Sequence, residues 1–168
     1  MKKILALLLL TCSLHASTGN KTLTNTTIDS LEHMGVLALK NVDIPGELSG
    51  SGSFAASECT FGSIKWTGAA HLRNCRILRN STFTGSLLAA QTTFERNVTV
   101  TSNYVELDGG VIKGDLIIQP TSRSDEEQTV ALSGAALVKG DIRFLSGNGV
   151  LKKTGRAEVQ GQVIGLKE

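Results

Sequence analysis

Four residues in the second half of the chain recur as a set. Lys113 and Asp115 flank Gly114 in Ile112-Lys113-Gly114-Asp115-Leu116, and Lys139 and Asp141 flank Gly140 in Val138-Lys139-Gly140-Asp141-Ile142. Val159-Gln160-Gly161-Gln162-Val163 and Ile44-Pro45-Gly46-Glu47-Leu48 are further copies of apolar-x-Gly-x-apolar. A ladder of Lys and Asp on one face could bind a polyanion or a sugar. The same ladder is also the pattern of a solvated, salt-bridged surface. Sugar cleavage needs two cooperating carboxylates in a groove, and Asp115 with Asp141 occupy matching repeat positions. The remaining inventory is thin. His33 and His71 have no partners at metal-ligand spacing. The chain has no Cys-x-x-Cys, His-Glu-x-x-His, EF-hand loop, P-loop or Gly-x-Ser-x-Gly elbow. No catalytic, cofactor or metal residues are therefore expected, and the chain is expected not to be an enzyme. Trp66 falls where other repeats carry Ile44, Ile77 and Leu88, so it reads as core rather than a sugar-stacking platform.

The elements that would hold these residues are repetitive. Leu39, Phe61, Leu72, Phe83, Phe94, Val105, Leu116 and Val138 share one lattice of eleven. Leu39-Lys40-Asn41-Val42-Asp43-Ile44 matches Leu72-Arg73-Asn74-Cys75-Arg76-Ile77, and Cys59-Thr60-Phe61 echoes Ser81-Thr82-Phe83. Short period-two segments such as Tyr104-Val105-Glu106-Leu107 read as strands with one buried face. Units too small to bury their own apolar face must stack. The expected fold is all-β: a single parallel β-solenoid, taken as a right-handed β-helix, with coils of about 22 residues built from two elevens. On that register Leu39 and Leu72, or Phe61 and Phe83, are equivalent. Cys59 and Cys75 are 16 apart, not a multiple of eleven, so they are not expected to stack directly; a disulfide between them is disfavoured, with a corner crossing as the alternative. Thr27 to Gly35 is the best helical candidate, with a cap and a glycine stop, and would cover the open N-terminal coil. The stretch 17–26 reads as loose and polar, 27–168 as the solenoid, and 120–129 as a charged loop inserted between two rungs.

The first sixteen residues have the layout of an export signal. Met1-Lys2-Lys3 is cationic, Ile4 to Leu10 is unbroken apolar, and a small residue, Ala16, follows. The apolar run is far shorter than the ~20 residues of a membrane span. Cleavage after Ala16 is one route; the other is lipidation of Cys12, since Leu9-Leu10-Thr11-Cys12 is similar to a lipobox. The chain carries 17 Lys+Arg and 15 Asp+Glu. Loss of Lys2 and Lys3 leaves the two signs equal, so neither a nucleic-acid partner nor an acidic tail is expected. With 40% apolar residues and two prolines in 168, disorder is excluded as well. Four Asn-x-Ser/Thr triplets, at Asn20, Asn25, Asn80 and Asn97, are what a chain with 32 Ser and Thr produces by chance.

From about Val98 to Gly165, on Gly114, Asp115, Gly140, Asp141 and Gly161, the chain resembles the bactofilins. That resemblance implies a right-handed β-helix polymerising end to end without nucleotide. It departs in two respects: bactofilins are typically cytosolic, and their coils are shorter than 22. The expected function is that of a non-catalytic exported structural or interaction protein of the bacterial envelope, self-assembling through solenoid ends or binding along a face. The alternatives are a polysaccharide-binding or adhesin-like module and a bactofilin-type cytoskeletal polymer. Expected partners are the chain itself or an envelope component. Membrane contact would come only through the signal or a lipidated Cys12, and the location is periplasmic, secreted or membrane-anchored.

Overall fold

Apolar and polar residues alternate along nearly the whole chain, and a strand that alternates must bury one face. In the computed structural model, which describes residues 16–122 and 126–168, this alternation winds into a parallel β-solenoid of about nine turns. The described residues form seventeen strands in one parallel sheet and no helix. Each coil is three-sided. The long strands β1 (Ala16–Thr27), β2 (Leu31–Ser57) and β3 (Thr60–Arg73) run past the corners of the early coils. Later coils break into short strands, one for each side. The first side holds Arg76–Ile77, Thr93–Phe94, Val111–Ile112, Leu137–Val138 and Glu158–Val159. The second holds Ser81–Thr84, Val98–Thr101, Leu116–Gln119, Ile142–Phe144 and Val163–Ile164. The third holds Leu87–Ala90, Tyr104–Asp108, Gln128–Ser133 and Gly149–Lys153.

The pairing register corrects the coil length. Asp43 pairs with Thr60, Thr60 with Arg76, Arg76 with Thr93 and Thr93 with Val111, which are steps of 16–18 residues rather than 22. The later steps are longer: 26 residues from Val111 to Leu137, where one strand ends at Gln119 and the next begins at Gln128, and 21 from Leu137 to Glu158, near the expected 22. The lattice of eleven is real but spans two sides of a triangle, not half a coil. Three such steps make two coils. Hence Leu39 and Leu72 lie two coils apart, whereas Phe61 and Phe83 occupy different columns. Phe61 stacks between Ile44 and Ile77 on the first side, and Phe83 between Trp66 and Val100 on the second.

The N-terminal expectations change too. The stretch 17–26 lies within β1 and pairs residue by residue with β2. Thr27 to Gly35 is not a capping helix: Thr27 ends β1, and Leu31 to Gly35 opens β2. Period-two burial wins there, since Leu31 and His33 point inward while Glu32 and Met34 face solvent. The coil step also governs the corners. Gly19, Gly35, Gly52, Gly68 and Gly85 recur once a coil with φ between 92° and 126°. A Cβ on any of the last four would collide with the carbonyl oxygen of the glycine one coil below, so both space and conformation require glycine.

Inside, the columns are apolar ladders. Ile44, Phe61, Ile77, Phe94, Ile112, Val138 and Val159 stack in register on the first side. Trp66 is buried as expected; its indole N–H donates to the Gly52 carbonyl at 3.1 Å, and its ring lies 5.0 Å from Phe54. Each fully buried large side chain contributes about 1.5–3 kcal/mol relative to exposure. The ends are treated differently. Lys21, in the first coil, occupies the column of Leu37, and Lys153, in the last, occupies the column of Leu132. Charge in a core column opposes the stacking of a further core layer upon it.

Candidate functional site

Lys113, Asp115, Lys139 and Asp141 are brought together on adjacent coils, because Ile112 pairs with Val138 and Leu116 with Ile142. Asp115 and Asp141 stand at the corner between the first and second sides, in a chain of side-chain oxygens. The Asn97 N–H donates to Asn80 Oδ1 at 3.2 Å, and the Asp115 N–H to Asn97 Oδ1 at 3.0 Å. The Asp141 N–H donates to Asp115 Oδ1 at 3.0 Å, and the Gln162 N–H to Asp141 Oδ1 at 2.9 Å. Each acid or amide thus satisfies a main-chain donor of the next coil. This explains the glycine before each acid. A Cβ at Gly114 would collide with Asn97 Oδ1, and one at Gly140 with Asp115 Oδ1.

The second oxygens face a cation. Arg143 reaches Asp141 Oδ2 at 2.8 Å and Asp115 Oδ2 at 3.6 Å. The Gln162 N–H, and after it Arg143, hold the Asp141 carboxyl below the usual carboxylate range. Of the lysines, Lys113 lies 2.6 Å from Glu95, whose other oxygen takes Arg76 at 2.8 Å. Lys113 first and Arg76 second hold the Glu95 carboxyl low. Lys139 is exposed one coil above Lys113. Chemically, the face is a structural ladder with its carboxylate oxygens in use. Among the described residues no cluster of three or more His, Cys, Asp or Glu could hold a metal ion.

His33 is fully buried and satisfied. The Ser17 hydroxyl lies 2.9 Å from Nδ1, and Nε2 faces the carbonyls of Gly19 at 3.0 Å and Val36 at 3.2 Å. Since both Nε2 partners only accept, the proton is assigned to Nε2. Cys12 and nearly all of the signal-like segment lie outside the described residues.

Cys59 and Cys75 correct the spacing argument. A separation of 16 is one coil, so the two cysteines stack directly, each just before the paired residues Thr60 and Arg76. Both are buried free thiols. The Cys59 S–H donates to the Ser57 carbonyl at 3.1 Å, and the Cys75 S–H lies 3.2 Å from the Arg73 carbonyl. The Val42 N–H donates to Cys59 Sγ at 3.4 Å, and the Cys75 N–H to Thr92 Oγ1 at 3.3 Å. Each thiol is the strongest influence on the other, which pulls the Cys59 thiol down and pushes the Cys75 thiol up.

Compared with protein-family models, curated proteins and solved structures, the chain matches none.

One feature escaped the sequence reading. The outer face of the third side is a groove of about 570 Å³. Ala38, Ala55 and Leu88 form its apolar floor, and His71, Arg73 and Glu106 stand among its polar lining. The signal was present as small or apolar residues at neighbouring outward strand positions, Ala38, Ala55 and Leu88. It could be seen only with the 16–18-residue register, in which Ala55, His71, Leu88 and Glu106 form one outward row.

Proposed function

We propose that the chain is a non-catalytic, exported structural or interaction protein of the bacterial cell envelope that makes its contacts along the lateral faces of a rigid solenoid. The corner ladder carries this reading. Asp115 and Asp141, the residues best placed for chemistry, use their oxygens to join coils, and the third side keeps an open apolar groove. A contiguous exposed apolar patch rimmed by polar groups marks a contact site. The signal layout from Met1 to Ala16 supports export. Lys21 and Lys153 favour lateral contact over end-to-end stacking, because each would bury a charge in a core column of the neighbouring copy.

Intact mass, cell fractionation and light scattering on the natively expressed protein test this reading. A chain starting at Ser17, in an envelope fraction and in a complex larger than a monomer, supports it. An acylated Cys12 in the membrane fraction places the same surface on a lipoprotein. A partnerless monomer overturns the interaction role, and an uncleaved cytoplasmic filament replaces it with the bactofilin-type polymer. A polysaccharide-binding role is the second reading, favoured by the charged residues beside an apolar floor. Silence on a glycan array, or binding unchanged by Arg73→Ala and Glu106→Gln, removes it.

A further inference from the structure

We propose that Cys59 and Cys75 are a disulfide site that staples two adjacent coils, formed by exchange with a low-molecular-weight disulfide while the coils close on one another. Adjacent parallel strands lie about 4.8 Å apart, inside the 4.4–6.8 Å range of Cα separations that a disulfide spans. The pair is aligned by its neighbours, since Thr60 pairs with Arg76 and the Arg76 N–H donates to the Cys59 carbonyl at 2.9 Å. Both side chains are buried at the same corner, one coil apart, so the two thiols face into one column. The thiols are expendable as donors at Arg73, whose carbonyl also accepts the Glu58 N–H at 3.0 Å. The column above carries Thr92, whose hydroxyl makes the same bond to a carbonyl two residues back, at 3.0 Å. The corner therefore needs only a small polar group, and the cysteines add redox chemistry to it.

The chemistry balances with a disulfide R–S–S–R as oxidant. The Cys59 thiolate attacks one sulfur of R–S–S–R, forming a mixed disulfide and releasing one thiolate, RS⁻. The Cys75 thiolate then attacks the Cys59 sulfur of the mixed disulfide, forming the protein bond and releasing the second RS⁻. Each protein thiol gives up one proton, the two released thiolates take them up, and two electrons pass from the cysteines to R–S–S–R, giving two RSH. Both cysteines are 3% exposed or less, so the exchange belongs to folding rather than to the finished solenoid. Persistence of the bond in the cell rests on the export reading, because an oxidising compartment retains it.

The test refolds the full chain from denaturant in a glutathione redox buffer, blocks remaining thiols with N-ethylmaleimide and maps peptides by mass. The expected result is a peptide pair joining Cys59 to Cys75, lighter by two hydrogens than its separate halves. Reduction should lower the melting temperature by about 6–12 °C in the natural sequence and leave a Cys59→Ala variant unmoved. Labelling of both cysteines in a chain with native strand content overturns the proposal, as does linkage of either one to Cys12 or to glutathione alone. A bond formed in the redox buffer but absent from protein blocked directly in cells leaves the site standing and overturns export instead.

Discussion

Replacing Asp115 by alanine separates a structural ladder from a ligand-binding face. Asp115 Oδ1 accepts the Asp141 N–H at 3.0 Å, and the Asp115 N–H is itself held by Asn97 Oδ1. Alanine keeps the second bond and deletes the first, leaving a main-chain donor without its partner in a coil interface. A hydrogen bond to a charged acceptor contributes about 1.5–3 kcal/mol when desolvated. The Asp115 side chain is 30% exposed, so water recovers part of that, and the expected cost is roughly 1–2 kcal/mol. Asparagine retains an oxygen at the same place and loses only the long contact to Arg143. Asp115→Asn should therefore cost about 0.5 kcal/mol or less, as should Lys139→Ala on the exposed face. Urea denaturation followed by circular dichroism reads all three; for a chain this size the alanine variant should melt about 2–8 °C lower. Equal losses for Asp115→Ala and Asp115→Asn would refute the acceptor argument, because the amide keeps the acceptor and gives up the charge. A neutral Asp115→Ala would refute it more directly.

Acid should loosen the same region. Asp141 and Glu95 have carboxyl pKa values lowered in the folded chain. A lowered folded value contributes stability that is fully present above the ordinary carboxylate pKa and is lost as pH falls through the folded value. Melting temperature should thus decline on the acid side of the carboxylate range, and Asp141→Asn should flatten that decline. Gly68→Ala forces a side chain into φ +119° and against the Gly52 carbonyl oxygen; it should cost about 1–3 kcal/mol or more, and an effect below 0.5 kcal/mol in urea titration would contradict the glycine corner. Replacing both Lys21 and Lys153 with leucine should make the ends self-associate, seen as concentration-dependent mass in light scattering. An unchanged mass across the concentration range would show that these lysines do not guard the ends.

The parallel solenoid was legible because its cause is local. Period-two alternation and glycine bends act over a few residues, and the absence of a sequence segment able to bury itself demands stacking. The coil length was not legible from the apolar positions, because every side of a three-sided coil buries similar aliphatic residues. A step of eleven therefore finds another buried residue two sides on, and Leu39, Phe61 and Phe83 look equivalent although each lies on a different side. Residue types with a single structural use carry the true period. Gly19, Gly35, Gly52, Gly68 and Gly85 recur at steps of 16 and 17, all at positive φ, and the last four are needed for space as well. Asn25, Asn41, Glu58, Asn74 and Gln91 mark a second corner with φ between 48° and 57° at matching intervals. Polar corner residues are the more discriminating ruler, since a core column accepts any aliphatic and a left-handed corner does not.

The same distinction decides what the Lys-Gly-Asp motif means. Read as surface chemistry, Gly is a spacer and Asp a ligand. In the pairing register of the coils, Gly is the position that cannot carry a Cβ, and Asp is the acceptor for the coil above. The motif appears only in the later coils because the earlier ones cross that corner differently. There the Gly46 N–H donates to the Asp29 carbonyl, and Arg79 reaches the Pro45 carbonyl at 2.5 Å. A repeated acidic residue on a solenoid corner is thus better explained by the main-chain donor it satisfies than by a ligand it awaits. The third-side groove has no such internal explanation. Its outward alanines and Leu88 satisfy no backbone group and fill no core column, which is why a partner is sought on that side and not along the row of acids.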